Sequence, residues 1–265
     1  IKEYLILRAS GEFVMTQDSA FGTLLYDTRK GHEGWCNPVC KMVGVNIEHM
    51  PTIKKSTEEV GKITEKAAKE LGLAEGTAVY GGGGDASLIG VGAGAVEIGD
   101  THIYSGTSGW VGTVVPEQIV DAGAMMAAIV GVDPEAYNYF GELETSNKCV
   151  SWVKDHLALD EIGVFLKKYG NASDSFEQVE FNLYDYLEEV IDTIPAGSNG
   201  VVFTPWLHGN RCPFEDPNAA GMFFNIRLET GKTELIRAVV EGICFHMRWM
   251  LERQEQKVSK YKKED

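Results

Sequence analysis

Four consecutive glycines, Gly81 to Gly84, constrain this chain more than any other feature. They follow Ala78-Val79-Tyr80, which reads as a short buried strand. They precede Asp85 and the small, apolar run Ala86 to Val96, which reads as a tightly packed helix. Consecutive glycines let a backbone turn sharply and let a ligand approach closely. Strand, glycine turn, carboxylate and helix in that order point to an α/β architecture, in which ligands bind beyond the carboxyl ends of strands. The turn is not a Walker A loop, since no Gly-Lys-Ser/Thr follows, and Gly90, Gly92 and Gly94 do not give G-x-G-x-x-G.

Asp85 has two readings. A carboxylate set against a substrate hydroxyl can accept its proton as the oxygen attacks phosphorus. The same residue can equally cap the helix that begins at Ala86. A second candidate is Ser105-Gly106-Thr107-Ser108-Gly109, between strands expected at His102-Ile103-Tyr104 and Trp110 to Val115. Its N–H and hydroxyl donors suit a phosphate, and its composition also suits a plain hairpin turn. A third is the Pro205 to Pro213 segment. There Arg211 fits either a phosphate or carboxylate ligand or a structural ion pair, and His208 shares the ambiguity.

Elsewhere the pattern predicts a helix from Ile1 to Ala9, stopped near Gly11, and another capped by Thr64 and ended by Gly72. Residues 142–159 carry a helical stripe through Cys149, Trp152, Val153 and His156. Asn182 is a candidate cap for a helix ending near Ile194. Val201-Val202-Phe203 reads as a buried strand, and His208 to Ala220 as a long loop. Glu234 to Glu252 is the strongest helix, with Leu235, Ile236, Val239, Val240, Ile243, Met247, Met250 and Leu251 in the i, i+3, i+4, i+7 rhythm.

The net charge of −15 excludes a basic nucleic-acid face, so no nucleic-acid partner is expected. No apolar run approaches the ~18 residues of a membrane span, so no membrane partner is expected either. The five cysteines do not make a disulfide framework. Cys36 and Cys40 are spaced as a zinc half-site, but no second Cys/His pair accompanies them, so no metal is assigned. Free thiols in a reducing cytoplasm is the expectation. The opening Ile1-Lys2-Glu3-Tyr4 reads as the middle of a longer chain.

Taken in order, these segments resemble the FGGY carbohydrate kinases, and the xylulokinase-like members most. The densest part is Gly200 to Glu252. There Gly221-Met222-Phe223-Phe224-Asn225-Ile226, seven residues and Glu234 to Glu241 look like the family's second signature, with Asn225 where the pattern has Gly. The resemblance implies a truncated actin-like ATPase (ribonuclease H-like) α/β fold. Residues 1–55 would end the FGGY N-terminal domain and 56–265 would form an incomplete C-terminal domain. It implies ATP and Mg²⁺ as cofactors and a small sugar, a ketopentose such as xylulose, as substrate. Asp85 matches the catalytic base, Gly106, Thr107, Ser108 and Gly109 match the loop facing the ATP phosphates, and Gly84, Asp85 and Ala86 stand at the sugar. Ala86 replaces the Asn or Gln of many relatives. The Asp-x-Gly-Thr motif, with the metal's carboxylate, and the adenosine motif are missing. The chain alone is therefore expected to be inactive, and a homodimer is left open. The alternative is a non-catalytic sugar-binding or regulatory module of the same fold.

Overall fold

The computed structural model describes residues 1–133, 135–157, 184–185 and 187–262. Helix α1 (Lys2–Ser10) stops where expected, because Gly11 takes φ 82° and its N–H caps the Leu7 carbonyl. Strand β1 (Val14–Thr16) runs into the short helix α2 (Gln17–Phe21). β2 (Tyr26–Asp27) and β3 (Gly34–Trp35) form a small ribbon before α3 (Asn37–Met42). β4 (Thr52–Lys54) then lies parallel to β1, with Thr16 opposite Lys54.

Strand β5 (Glu59–Lys62) pairs antiparallel with β6 (Ala78–Tyr80). Between them lies α4 (Glu65–Leu71). Its expected caps are in place: the Thr64 hydroxyl accepts the Ala67 N–H, and Gly72 takes φ 70°. The β6 strand forms as read but is not buried; Tyr80 is 59% exposed, because β6 has a partner on one side alone among the described residues. The glycine run follows, then α5 (Asp85–Gly92). This helix is shorter than expected and stops before Val96. Its last turn closes through Gly94, at φ 85°, and through the Ala95 N–H bonded to the Gly90 carbonyl.

The second half is built on a five-stranded antiparallel sheet in the order β7-β8-β11-β10-β9. Its strands are β7 (Thr101–Ser105), β8 (Gly109–Val115), β9 (Val120–Asp121), β10 (Met126–Val130) and β11 (Tyr137–Leu143). Residues 142–146, expected to be helical, end β11 and turn; helix α6 (Asn147–His156) begins only afterwards. Tyr139, Gly141 and Leu143 alternate into the core, which commits this stretch to a strand paired with β8. The Asn182 cap lies outside the described residues, while residues 187–192 are helical. β12 (Val202–Thr204) pairs with β13 (Met222–Phe224) and buries Phe203 but not Val202.

Helix α7 (Lys232–Val258) closes the core. At 1.5 Å per residue it is roughly 40 Å long. Ile236, Val239, Ile243, Met247 and Met250 are buried on one stripe against Val111, Tyr139, Leu143 and Phe203. One polar residue joins the stripe: Gln254 is fully buried. Its amide donates to the Val111 carbonyl at 2.8 Å and the Tyr139 carbonyl at 3.1 Å, and its oxygen accepts from the Thr113 hydroxyl at 3.1 Å. A buried amide satisfied on every side fixes the helix axially against β8 and β11. Among the described residues no helix is long and apolar enough to cross a membrane, and no group of three His, Cys, Asp or Glu could hold a metal. All five cysteines are free thiols, with Cys36 half-buried and Cys40 buried.

Candidate active site

The glycine run is held on both sides. The Gly81 and Gly82 N–H groups bond to the Glu58 and Ser56 carbonyls at 3.1 and 2.9 Å, and Gly82 takes φ 63°. A Cβ on Gly81 would lie 2.7 Å from the Thr16 methyl and 2.8 Å from the Lys55 carbonyl, so only glycine lets the run lie against the ends of β1 and β4. Gly84 is the N-cap of α5 and Asp85 its first residue. The Asp85 side chain is exposed, neither sunk in an apolar core nor tied to a distant partner. Its Oδ1 accepts the Ala86 N–H at 2.9 Å, and among the described residues its Oδ2 has no hydrogen-bond partner. Asp85 is thus attached to the start of its helix and still presents a free oxygen to solvent. Ala86 is half-buried and offers only a methyl group.

The second candidate segment is a hairpin turn whose carbonyls do a further job. Ser105 pairs with Gly109, and the Gly106 N–H bonds to the Ser108 carbonyl at 2.8 Å. The Gly106 and Thr107 carbonyls accept the Asn147, Ser146 and Lys148 N–H groups, so the turn caps the start of α6. The Ser105 and Ser146 hydroxyls are 2.8 Å apart. Thr107 is exposed and Ser108 half-buried, while Gly109 is buried, its Cα facing the Met247 methyl. Beside the turn opens a cleft of about 500 Å³, lined by Thr107, Lys148, Ser151, Trp152, His156 and His208 among others. That volume suits a nucleotide-sized ligand. His208 therefore sits on the cleft wall, exposed.

Arg211 takes the structural reading. Its guanidinium pairs with Glu142 and, at 3.1 Å, with Glu144. Partial burial opposes its charge, but the two carboxylates outweigh this and its pKa is raised. Asp85 and the Gly106–Gly109 turn share no hydrogen bond among the described residues. They are linked by packing: a Cβ on Gly90 of α5 would lie 2.8 Å from the His102 ring on β7, which leads directly into the turn.

Sequence reasoning passed over one set of residues. The Asp18 carboxylate receives the Gly84 N–H at 2.7 Å, the Thr16 hydroxyl at 2.5 Å and the Ser56 hydroxyl at 3.2 Å. Lys2 Nζ donates to the Thr16 hydroxyl at 2.7 Å and the Gly81 carbonyl at 3.1 Å. The signal was present in Thr16-Gln17-Asp18-Ser19, a polar run that starts on the last residue of β1.

The FGGY family of carbohydrate kinases, C-terminal domain, matches residues 102–263, and the family's N-terminal domain matches residues 1–92. The chain belongs to the FGGY family of carbohydrate kinases. The two FGGY matches leave residues 93–101 between them. Among curated FGGY relatives, the xylulose kinase of Bacillus subtilis is 28% identical over 95% of this chain and 46% of its own length. The gluconokinase of the same organism is 24% identical over 93% and 45%. A solved xylulose kinase from Lactobacillus acidophilus, bound to a ligand, superposes with a TM-score of 0.77 at 25% identity, covering 97% of this chain and 48% of that one. The chain thus has the α/β, actin-like ATPase fold of these kinases and spans about half the length of the curated relatives it matches.

Proposed function

We propose that the protein carrying this chain transfers a phosphoryl group from ATP to a hydroxyl of a small sugar or sugar acid, a ketopentose such as xylulose being the first candidate. Asp85 is the base. The observation that carries this reading is the free Asp85 oxygen at the first position of α5, beyond a glycine run that lets other groups come close. The FGGY membership supplies the reaction class. Xylulose kinase and gluconokinase relatives supply the two acceptor chemistries to compare first.

In this reading Asp85 Oδ2 takes the acceptor proton as the sugar oxygen attacks phosphorus, and Oδ1 stays on the Ala86 amide, which keeps the carboxylate from rotating away. Gly84 and Ala86 flank the sugar without adding a polar side chain, so specificity falls to other groups. The Gly106–Gly109 turn faces the ATP phosphates with the exposed Thr107 hydroxyl, and its Gly106 and Thr107 carbonyls are turned to α6, away from the anion. The cleft of about 500 Å³ beside it has room for the rest of the nucleotide. Bound Mg²⁺ would neutralise phosphate charge. The described residues gather no group of three metal-binding side chains, so no step is assigned to the ion here.

The test is ATP-dependent phosphorylation across a panel of xylulose, other ketopentoses, polyols and gluconate. Asp85→Asn is expected to lower kcat on the order of 10²–10⁴-fold. A fully active Asn variant removes Asp85 from the mechanism. The methyl of Ala86, which cannot contact a sugar hydroxyl through a hydrogen bond, favours a second reading, a sugar-binding module without catalysis. Calorimetry that finds sugar binding with no nucleotide binding supports that one instead.

A further inference from the structure

We propose that Asp18 is a positioning residue for Asp85, clamping the glycine turn that sets where α5 begins; this rests on the reading of Asp85 as base. The parallel strands β1 and β4 deliver Asp18 and Ser56 from their carboxyl ends to the same place. There the Asp18 carboxylate accepts three hydrogen bonds. Oδ1 accepts the Thr16 and Ser56 hydroxyls, and Oδ2 accepts the Gly84 N–H at 2.7 Å. Thr16 is fully buried and Ser56 is 5% exposed, so both hydroxyls are fixed and hold the carboxylate in one orientation. Hydrogen bonds to an ionised acceptor are shorter and about twice as strong as neutral ones, which suits a clamp.

The clamped group is the hinge of the site. The Gly84 carbonyl accepts the Leu88 N–H at 2.9 Å, so Gly84 opens α5, and Asp85 is the next residue. Any shift of Gly84 displaces the Asp85 carboxylate with it. The turn packs closely at its centre: a Cβ on Gly83 would lie 3.1 Å from Asp18 Oδ2 and 3.0 Å from the Val132 side chain. Lys2 closes the ring by bridging Thr16 to the Gly81 carbonyl. The chain thus ties residues 2, 16, 18 and 56 to the four glycines, and that connection aims Asp85.

The experiment compares Asp18→Asn, Asp18→Ala and Thr16→Val in the protein that carries this chain. Asparagine keeps the shape of Asp18 but replaces one acceptor oxygen by an amide donor. The expected result is a fall in kcat on the order of 10–10²-fold, largest for Asp18→Ala, with sugar KM changed less than about threefold. Hydrogen exchange at the Gly84 amide, followed by mass spectrometry on the peptide containing it without substrate, should accelerate at least about tenfold in Asp18→Ala, since its acceptor is gone. A sugar KM that rises while kcat holds overturns the proposal, because Asp18 would then be a sugar ligand. Unchanged Gly84 exchange in Asp18→Ala also overturns it. Should Asp18→Ala fail to fold, the Asn and Val variants carry both readouts. If the unaltered protein phosphorylates no sugar, the kinase reading fails, yet the exchange measurement still decides whether Asp18 clamps the turn.

Discussion

At Asn225 the backbone takes φ 63°, a left-handed conformation that costs most residues about 1–2 kcal/mol and that asparagine tolerates better than others. This is the position where the family signature carries glycine, and the substitution keeps the conformation. Its amide also donates to the Gly200 carbonyl at 3.0 Å, tying the end of β13 back to the segment that leads into β12. Asn225→Ala is therefore expected to destabilise by about 1–2 kcal/mol, while Asn225→Gly stays within about 0.5 kcal/mol of the parent, as read by denaturant unfolding. Individual residues were unevenly legible in the sequence. Asp85 stood out because glycines and a strand framed it. Asp18 did not, because its partner Gly84 lies 66 positions away and nothing local distinguishes a clamping carboxylate from a solvated one. Arg211 stayed ambiguous for the same reason, since Glu142 and Glu144 belong to a distant strand end.

Elements meet closely where α5 packs on β7. The His102 ring is sandwiched between Gly90 and Gly112, where added Cβ atoms would stand 2.8 and 2.6 Å from it. Trp110 donates its indole N–H to His102 Nε2 at 3.1 Å. Gly90→Ala should cost about 1–3 kcal/mol by overpacking, and much less in a His102→Ala background, where the ring is gone. A double-mutant cycle on thermal or denaturant unfolding measures the difference. Burial lowers the pKa of His102, and also that of His246, whose bond to the Cys212 carbonyl only partly opposes it. Both rings are thus neutral in the folded chain. The unfolded chain takes up their protons first as pH drops below about 6.5, so stability is full above that value and is lost on acidification. The Tm should be lower at pH 5.5 than at pH 7.5, and His246→Gln should narrow the gap. Helix α7 was legible from its 3.6-residue rhythm, and β7 and β8 from the turn between them. Strands β10 and β11 escaped because Met126 to Val130 is apolar on both faces, and β11 buries the polar Asn138 beside Tyr139, so neither shows a clean polar alternation, and a helical stripe follows.

For the whole molecule, the α/β class and the family were readable from motif order, whereas the antiparallel sheet depends on contacts between distant segments. Helix α7 makes several of those contacts, with β8, β11 and β12. A chain ending at residue 231 should leave the Val111 and Tyr139 carbonyls without the Gln254 amide and strip one side from the core. Limited proteolysis should cut such a chain within 109–143 far faster than it cuts the complete one. Gln254 stands 143 positions after Val111. At a ribosomal pace of roughly 5–20 residues per second, β8 leaves the exit tunnel on the order of ten seconds before the helix that covers it. Throughout that interval the face of a mostly apolar strand that α7 covers lacks its cover. The nascent polypeptide is at its most vulnerable to sticking, and a chaperone has its best opportunity to hold it, before the final stretch of helix has been made.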